Sequence, residues 1–158
     1  MSASDSPWGR GPVGELNPIV RGLTEKSAET SPDAEDARLR GRTFTIPFDR
    51  VWESSLSVIR QRLRGWTVVL DDDRAGRIDA LATSTLRGLE TEVVVRIGLD
   101  ENGQTRVDLR ATSRTDVRDY GRCRRLIGHF TVRLDKELDP RPDQVLDPTT
   151  MPRFQQST

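Results

Sequence analysis

The chain has 158 residues, 34% of them hydrophobic, and its 25 Lys and Arg are balanced by 25 Asp and Glu to a net charge of zero. No apolar run approaches the roughly 18 residues of a membrane-spanning helix, and a neutral chain lacks the strong basic excess that points most simply to nucleic acid. One cysteine, Cys123, excludes an intramolecular disulfide framework and argues for a reducing compartment, and the length suits one ordinary domain with tails.

The N-terminus, Met1 to Pro7, has neither a basic start nor an apolar stretch, so no secretory signal is expected. Four of the nine prolines (Pro7, Pro12, Pro18, Pro32) fall in residues 1–40 and four (Pro140, Pro142, Pro148, Pro152) in 139–158. Proline removes a backbone donor and breaks ladders, so both flanks are expected to be extended, irregular arms around a domain at 41–138. Charge divides at the same places. Residues 1–40 hold five basic and seven acidic side chains and 139–158 two and three, leaving the middle with 18 against 15, or +3. Apolar anchors interleave with the prolines of the arms: Trp8, Leu16 and Ile19 at one end, Met151 and Phe154 at the other. A plain disordered tail seldom carries such residues, so these five read as linear docking segments. Extended at roughly 3.3 Å per residue, the arms would reach well beyond the domain.

Within the domain, Thr43 to Ile46 reads as a short strand, and Asp49 sits where a helix start favours a carboxylate. Trp52, Leu56, Ile59 and Leu63 follow at steps of four, three and four, widened by Val51 and Val58, and form the apolar stripe of a helix that Gly65 ends. Its other face, Arg60, Gln61 and Arg64, should be wet. Trp66 to Leu70 reads as a strand stopped by Asp71-Asp72-Asp73. Arg77 to Thr83 is the next, with Ile78, Ala80 and Ala82 on one face, and Ser84 to Leu89 is a loop. Val93, Val95, Ile97 and Leu99 alternate with Glu92, Val94 and Arg96. Val107, Leu109 and Ala111 alternate with Arg106, Asp108 and Arg110 after a turn at Asp100-Glu101-Asn102-Gly103, and the two strands make a hairpin. The polar face of these strands holds Glu92, Arg96, Arg106, Asp108 and Arg110. A long helix over about 116–138 carries Val117, Tyr120, Cys123, Ile127, Phe130, Leu134 and Leu138 on one stripe. The expected fold is α+β: an antiparallel sheet of about five strands, in the order β-α-β-β-β-β-α, with both helices packed on its apolar face.

Motifs for chemistry are sparse. There is no phosphate loop, dinucleotide fingerprint, zinc-helix motif or CxxC pair. His129, the single histidine, is framed by no motif and reads as a residue at the edge of the long helix's stripe. Cys123 lies on that stripe and reads as core. The three consecutive aspartates lack the spacing of a calcium loop and read as a turn. An enzyme built on Arg114, Asp119 and His129 would need those three to converge in one cleft, so no catalytic activity, metal or cofactor is expected. Arg114, Arg118 and Arg122 can share a helix face, with Arg125 near, and Arg118, Arg122 and Arg125 read equally as a basic docking face for lipid headgroups, a phosphate or an acidic subunit and as a solvated face paired with Asp108, Asp116, Asp119 and Asp135. The aromatics Phe44, Trp52 and Phe130 are needed in the core, which leaves no platform for bases, so nucleic acid is not an expected partner.

The stretch Val107-Asp108-Leu109-Arg110-Ala111-Thr112-Ser113-Arg114, followed by Asp119-Tyr120-Gly121 and Arg125-Leu126, resembles the domain of unknown function 1499 family, as does Trp66…Asp72…Gly76-Arg77-Ile78-Asp79-Ala80 upstream. The resemblance spans about 41–138. It departs from the family pattern at Asp116, where a glycine is usual, at Cys123, where an asparagine is usual, and in lacking an N-terminal cysteine segment. It implies structural roles for Ser113, Arg114, Asp119 and Gly121 at the corner from sheet to helix, with Arg114 and Asp119 in an ion pair or cap. The family's occurrence in bacteria and plastids implies a link to photosynthetic or other energy-converting membranes.

These readings combine into one expectation: a non-catalytic accessory subunit of a larger membrane-bound complex. A photosynthetic reaction centre with its antenna is the specific candidate, with the subunit peripheral on the cytoplasmic face and its arms wrapped on neighbouring subunits. The alternative is a module that binds a lipid or small molecule in an apolar cavity between sheet and long helix, with Ala80, Ala82 and Ala111 making room.

Overall fold

The computed structural model describes residues 27–114 and 120–146. Seven strands form one antiparallel sheet: β1 (Ser27–Glu29), β2 (Arg42–Phe44), β3 (Trp66–Asp72), β4 (Arg77–Thr83), β5 (Glu90–Leu99), β6 (Thr105–Ser113) and β7 (Val145–Leu146). Two helices complete the fold: α1 (Phe48–Ser57), prolonged by a π-helical turn at Val58–Arg62, and α2 (Tyr120–Leu138). The order across the sheet is β3-β4-β5-β6-β2-β7. Strand β1 pairs with the same side of β6 as β2 but further along, Ser27 opposite Thr112 and Arg42 opposite Val107. The architecture is the expected α+β sheet with helices, with two short strands more than the alternating pattern showed.

Those two strands correct both ends of the domain. Residues 27–40, read as the end of an irregular arm, belong to the folded body. Ala28 and Leu39 are buried in the core, and a 3-10 turn at Ala37–Leu39 packs beside α2. At the other end, residues 142–146 form a second 3-10 turn and then β7 on the edge of β2. Ser-Ala-Glu and Val-Leu are too short to show a period, and the neighbouring prolines favour irregular chain. What places both strands is an open hydrogen-bonding edge on a partner strand. The docking residues expected in the arms, Trp8, Leu16, Ile19, Met151 and Phe154, lie outside the described residues.

The loop between β1 and β2 is tied to α2 by charge. Asp36 accepts from Arg38 at 2.8 Å and from Arg124 at 3.4 Å, and its side chain also takes the backbone N–H of Arg38. The Arg38 hydrogen bond is the main cause that holds the Asp36 carboxyl down at about 2, against an ordinary 3.8, with Arg124 adding a smaller part. A depressed carboxyl stabilises the fold fully above its unfolded value and loses that contribution as pH falls. Asp36→Asn is therefore expected to flatten the loss of stability between about pH 4 and pH 2, read by circular dichroism during acid unfolding. An acid limb identical to that of the wild type would refute the assignment.

Strand β3 runs on through Asp71 and Asp72, two residues past its expected stop, and the turn to β4 is made at Asp73–Gly76. Asp72 caps that turn by accepting the N–H groups of Arg74 and Ala75, each at 3.1 Å. Gly76 has φ +65°, and a Cβ there would collide with the carbonyl of Ile97, so only glycine suits the site. A bulge between Val68 and Leu70 turns Val69 and Leu70 outward, 69% and 49% exposed. The hairpin from β5 to β6 turns where Asn102-Gly103 placed it: Asp100 accepts the N–H groups of Asn102 and Gln104, both at 2.9 Å.

The core lies between the inner sheet face and the helices. Ile78, Val93, Val95, Ile97, Val107 and Leu109 face Val51, Val58 and Ile59 on the α1 side, and Cys123, Ile127, Phe130, Leu134 and Leu138 of α2, in one continuous cluster. Ala80, Ala82 and Ala111 are buried in the same cluster. The wide π turn is what lets the consecutive Val58 and Ile59 both be fully buried. Two members of the expected pattern depart from it. Leu99 lies beyond the helices at the hairpin end and is 64% exposed, whereas Asp108, expected on the wet outer face, is only 5% exposed.

Candidate functional site

The site is built where the end of α1 meets the outer arc of α2. After the π turn the chain leaves through Leu63, Arg64 and Gly65 into β3, and Gly65, with φ +82°, lets it reverse within two residues. On α2, Cys123, Ile127, Phe130 and Leu134 take the core side, which leaves Arg125, His129, Val132, Arg133 and Lys136 exposed at steps of about one helical turn. Between the two elements runs a groove of about 480 Å³. Leu63, Trp66, Leu126 and Val132 give it an apolar floor, and Arg62, Arg64, His129, Arg133 and Lys136 form its rim.

The electrostatics are one-sided. Glu137 is the acid nearest this rim in the bonding pattern; it accepts from Arg62 at 3.3 Å and from the Ser57 hydroxyl at 2.9 Å. Arg64, Arg133 and Lys136 make no ion pair among the described residues. Three unpaired cations over an apolar floor, on a chain with zero net charge, concentrate positive potential at one place. Val132, 52% exposed, leaves part of the apolar floor open beside these cations.

The residues singled out in the sequence are distributed differently. Arg122 of the expected basic face donates to the Thr91 hydroxyl and the Leu89 carbonyl, each at 3.2 Å, and so ties α2 to the start of β5. Arg125 is exposed and lies on the arc of His129, Arg133 and Lys136. Arg118 and Asp119 lie outside the described residues. Ser113 is buried at the end of β6, and Gly121 is exposed in the first turn of α2. Arg114 pairs with Glu90 at 3.1 Å and Glu92 at 3.0 Å on the outer sheet face. His129 stands on the helix side, so Arg114 and His129 do not share a cleft. His129 is exposed on the outer arc of α2.

Among the described residues, no group of three His, Cys, Asp or Glu side chains is placed to hold a metal ion. Of the acidic run, Asp72 is used by the turn and Asp71 stands 3.9 Å from Arg60. The groove itself escaped the sequence reading. Its one legible signal is that Arg125, His129, Arg133 and Lys136 recur opposite the buried stripe. Arg62 and Arg64 join them only through packing.

Residues 22–134 match the family model described as protein of unknown function (DUF1499). The match begins before β1, in keeping with a folded body that starts ahead of residue 41. No curated protein matches the chain.

Proposed function

The chain belongs to the DUF1499 protein family, and from that premise we propose that it is a non-catalytic accessory subunit that docks on the anionic surface of a larger membrane-bound complex. The observation that carries the reading is the groove between α1 and α2, with unpaired Arg64, Arg133 and Lys136 above an apolar floor. Charge steers the approach and the apolar floor retains the partner, the division of labour expected of a peripheral contact. In this proposal the arm residues Trp8, Leu16, Ile19, Met151 and Phe154 anchor the subunit to its neighbours. The resemblance to a family found in bacteria and plastids supports a photosynthetic reaction centre with its antenna as the complex, approached from the cytoplasmic face.

The test is recovery of the tagged full chain with complexes from gently solubilised native membranes, beside a chain carrying Arg133→Gln and Lys136→Gln. Each basic side chain near an anionic surface contributes about 1 kcal/mol, so the double variant is expected to bind roughly thirtyfold more weakly. Both positions are exposed, so the fold should tolerate the change. A chain that is recovered as a free monomer, or a double variant that binds as well as the wild type, overturns the proposal.

A further inference from the structure

On the opposite side of the molecule, the outer face of the sheet carries a second cavity, about 360 Å³ and open to solvent, at the hairpin end of β5 and β6. Arg96 stands on its wall. In the cross-strand row Arg96 lies between Arg77 on β4 and Asp108 on β6. Neither neighbour leaves it a counter-charge. Arg77 is held by Asp79 at 2.7 Å, and Asp108 takes two hydrogen bonds from Arg106, at 3.0 and 2.8 Å, and one from the Thr30 hydroxyl at 2.7 Å. Asp100, also on the wall, spends its Oδ1 on the turn amides. Arg96 makes no ion pair among the described residues, and its Nε–H is buried without an acceptor.

An arginine without a counter-charge on the wall of an open cavity favours an anion that can enter beside it. We propose that this cavity is a binding site for a small aliphatic monocarboxylate, its carboxylate paired with Arg96. Three features select that class. The planar fork of a guanidinium matches a carboxylate with two parallel hydrogen bonds. Pro32, Ala75 and the exposed Leu99 offer apolar wall for a short hydrocarbon tail, and the volume is at the small end of ligand sites. Arg106, also in the wall, offsets the charge of Asp108, but Asp100 makes no ion pair among the described residues and repels a second negative charge, which favours a monoanion over a phosphate dianion. The exposed Leu99, unexplained by the core, acquires a use as the apolar lip of the site.

Hexanoate is the probe, followed by amide chemical shifts of the full chain during titration. The expected result is a saturable shift centred on Gly98, Leu99 and Ala75, weakened at least tenfold by Arg96→Gln and also by Leu99→Glu. The second variant leaves the guanidinium intact and changes only an exposed position, so a dispersed spectrum with weakened binding separates loss of the site from loss of the fold. Hexanol, which lacks the charge, and inorganic phosphate should both bind more weakly than hexanoate. The proposal is overturned if hexanoate gives no saturable shift up to millimolar concentration. It is equally overturned if the shift survives Arg96→Gln, or if phosphate binds as tightly as hexanoate. None of these results bears on the groove at α2, which lies on the other face.

Discussion

Asp108→Ala is expected to destabilise the protein by about 3–5 kcal/mol, the cost of leaving the second member of a buried ion pair uncompensated. Arg106 is the member left behind. It reaches Asp108 with Nε and Nη2, and it also donates to the Arg40 carbonyl at 2.7 Å and the Thr43 hydroxyl at 3.3 Å, so it cannot swing out to water without breaking other bonds. Thr30 is the third member. Its hydroxyl donates to Asp108 and accepts the Leu109 N–H at 3.0 Å, which seals the segment after β1 against β6. One carboxylate thus holds together the loop that precedes β2 and the edge it closes. Urea denaturation monitored by circular dichroism gives the number. The paired replacement of Arg106 and Asp108 by Met and Leu should recover most of the loss, because it removes both charges at once. A single-variant cost below about 1 kcal/mol would show that the pair is solvated in solution and that the loop is not sealed there.

The second large effect is expected at Phe130→Ala, again about 3–5 kcal/mol, from lost burial together with the cavity left behind. Phe130 is fully buried in the middle of α2, and its ring stacks on Trp66 of β3 with centroids 6.3 Å apart. It therefore couples the long helix to the far edge strand of the sheet, and the nearby alanines of the inner face have no bulk with which to refill the space. Guanidinium unfolding followed by tryptophan fluorescence checks this, with Val132→Ala on the exposed side of the same helix as the control. That control should stay within about 0.5 kcal/mol of the wild type. Equal effects at the two positions would mean that α2 is rotated relative to the sheet.

Elements whose residues are neighbours in sequence could be read directly. The alternation of buried Val93, Val95 and Ile97 with Glu92, Val94 and Arg96, the Asn102-Gly103 turn, and the recurrence of Cys123, Ile127, Phe130 and Leu134 each place a face without reference to the rest of the chain. Gly65 could be read for the same reason, since a helix that must reverse into a strand favours a residue free to adopt positive φ. The misreadings share one cause. Asp108 has the type and position of a wet residue and becomes dry because Thr30 and Arg106 close over it. Ser27 to Glu29 has no strand signal of its own and becomes a strand because β6 offers an unfilled edge. Arg122 reads as a docking cation and is instead tied to Leu89 and Thr91, which are 33 and 31 residues away in the chain.

The two candidate sites follow the same division. That α2 has a basic outer arc at Arg125, His129, Arg133 and Lys136 is a property of helical period and was already present in the residues. That the arc becomes the wall of a groove, with Arg62 and Arg64 opposite, depended on the angle at which α1 leaves the core. Similarly, the sequence puts Arg96 on the outer face of β5 by alternation alone. Only strand register decides that Asp79 and Asp108 are claimed by other arginines. Local pattern sets which way a side chain faces, because that depends on a few backbone angles. Which charge it meets there depends on packing between distant segments, and that was settled only in the tertiary structure.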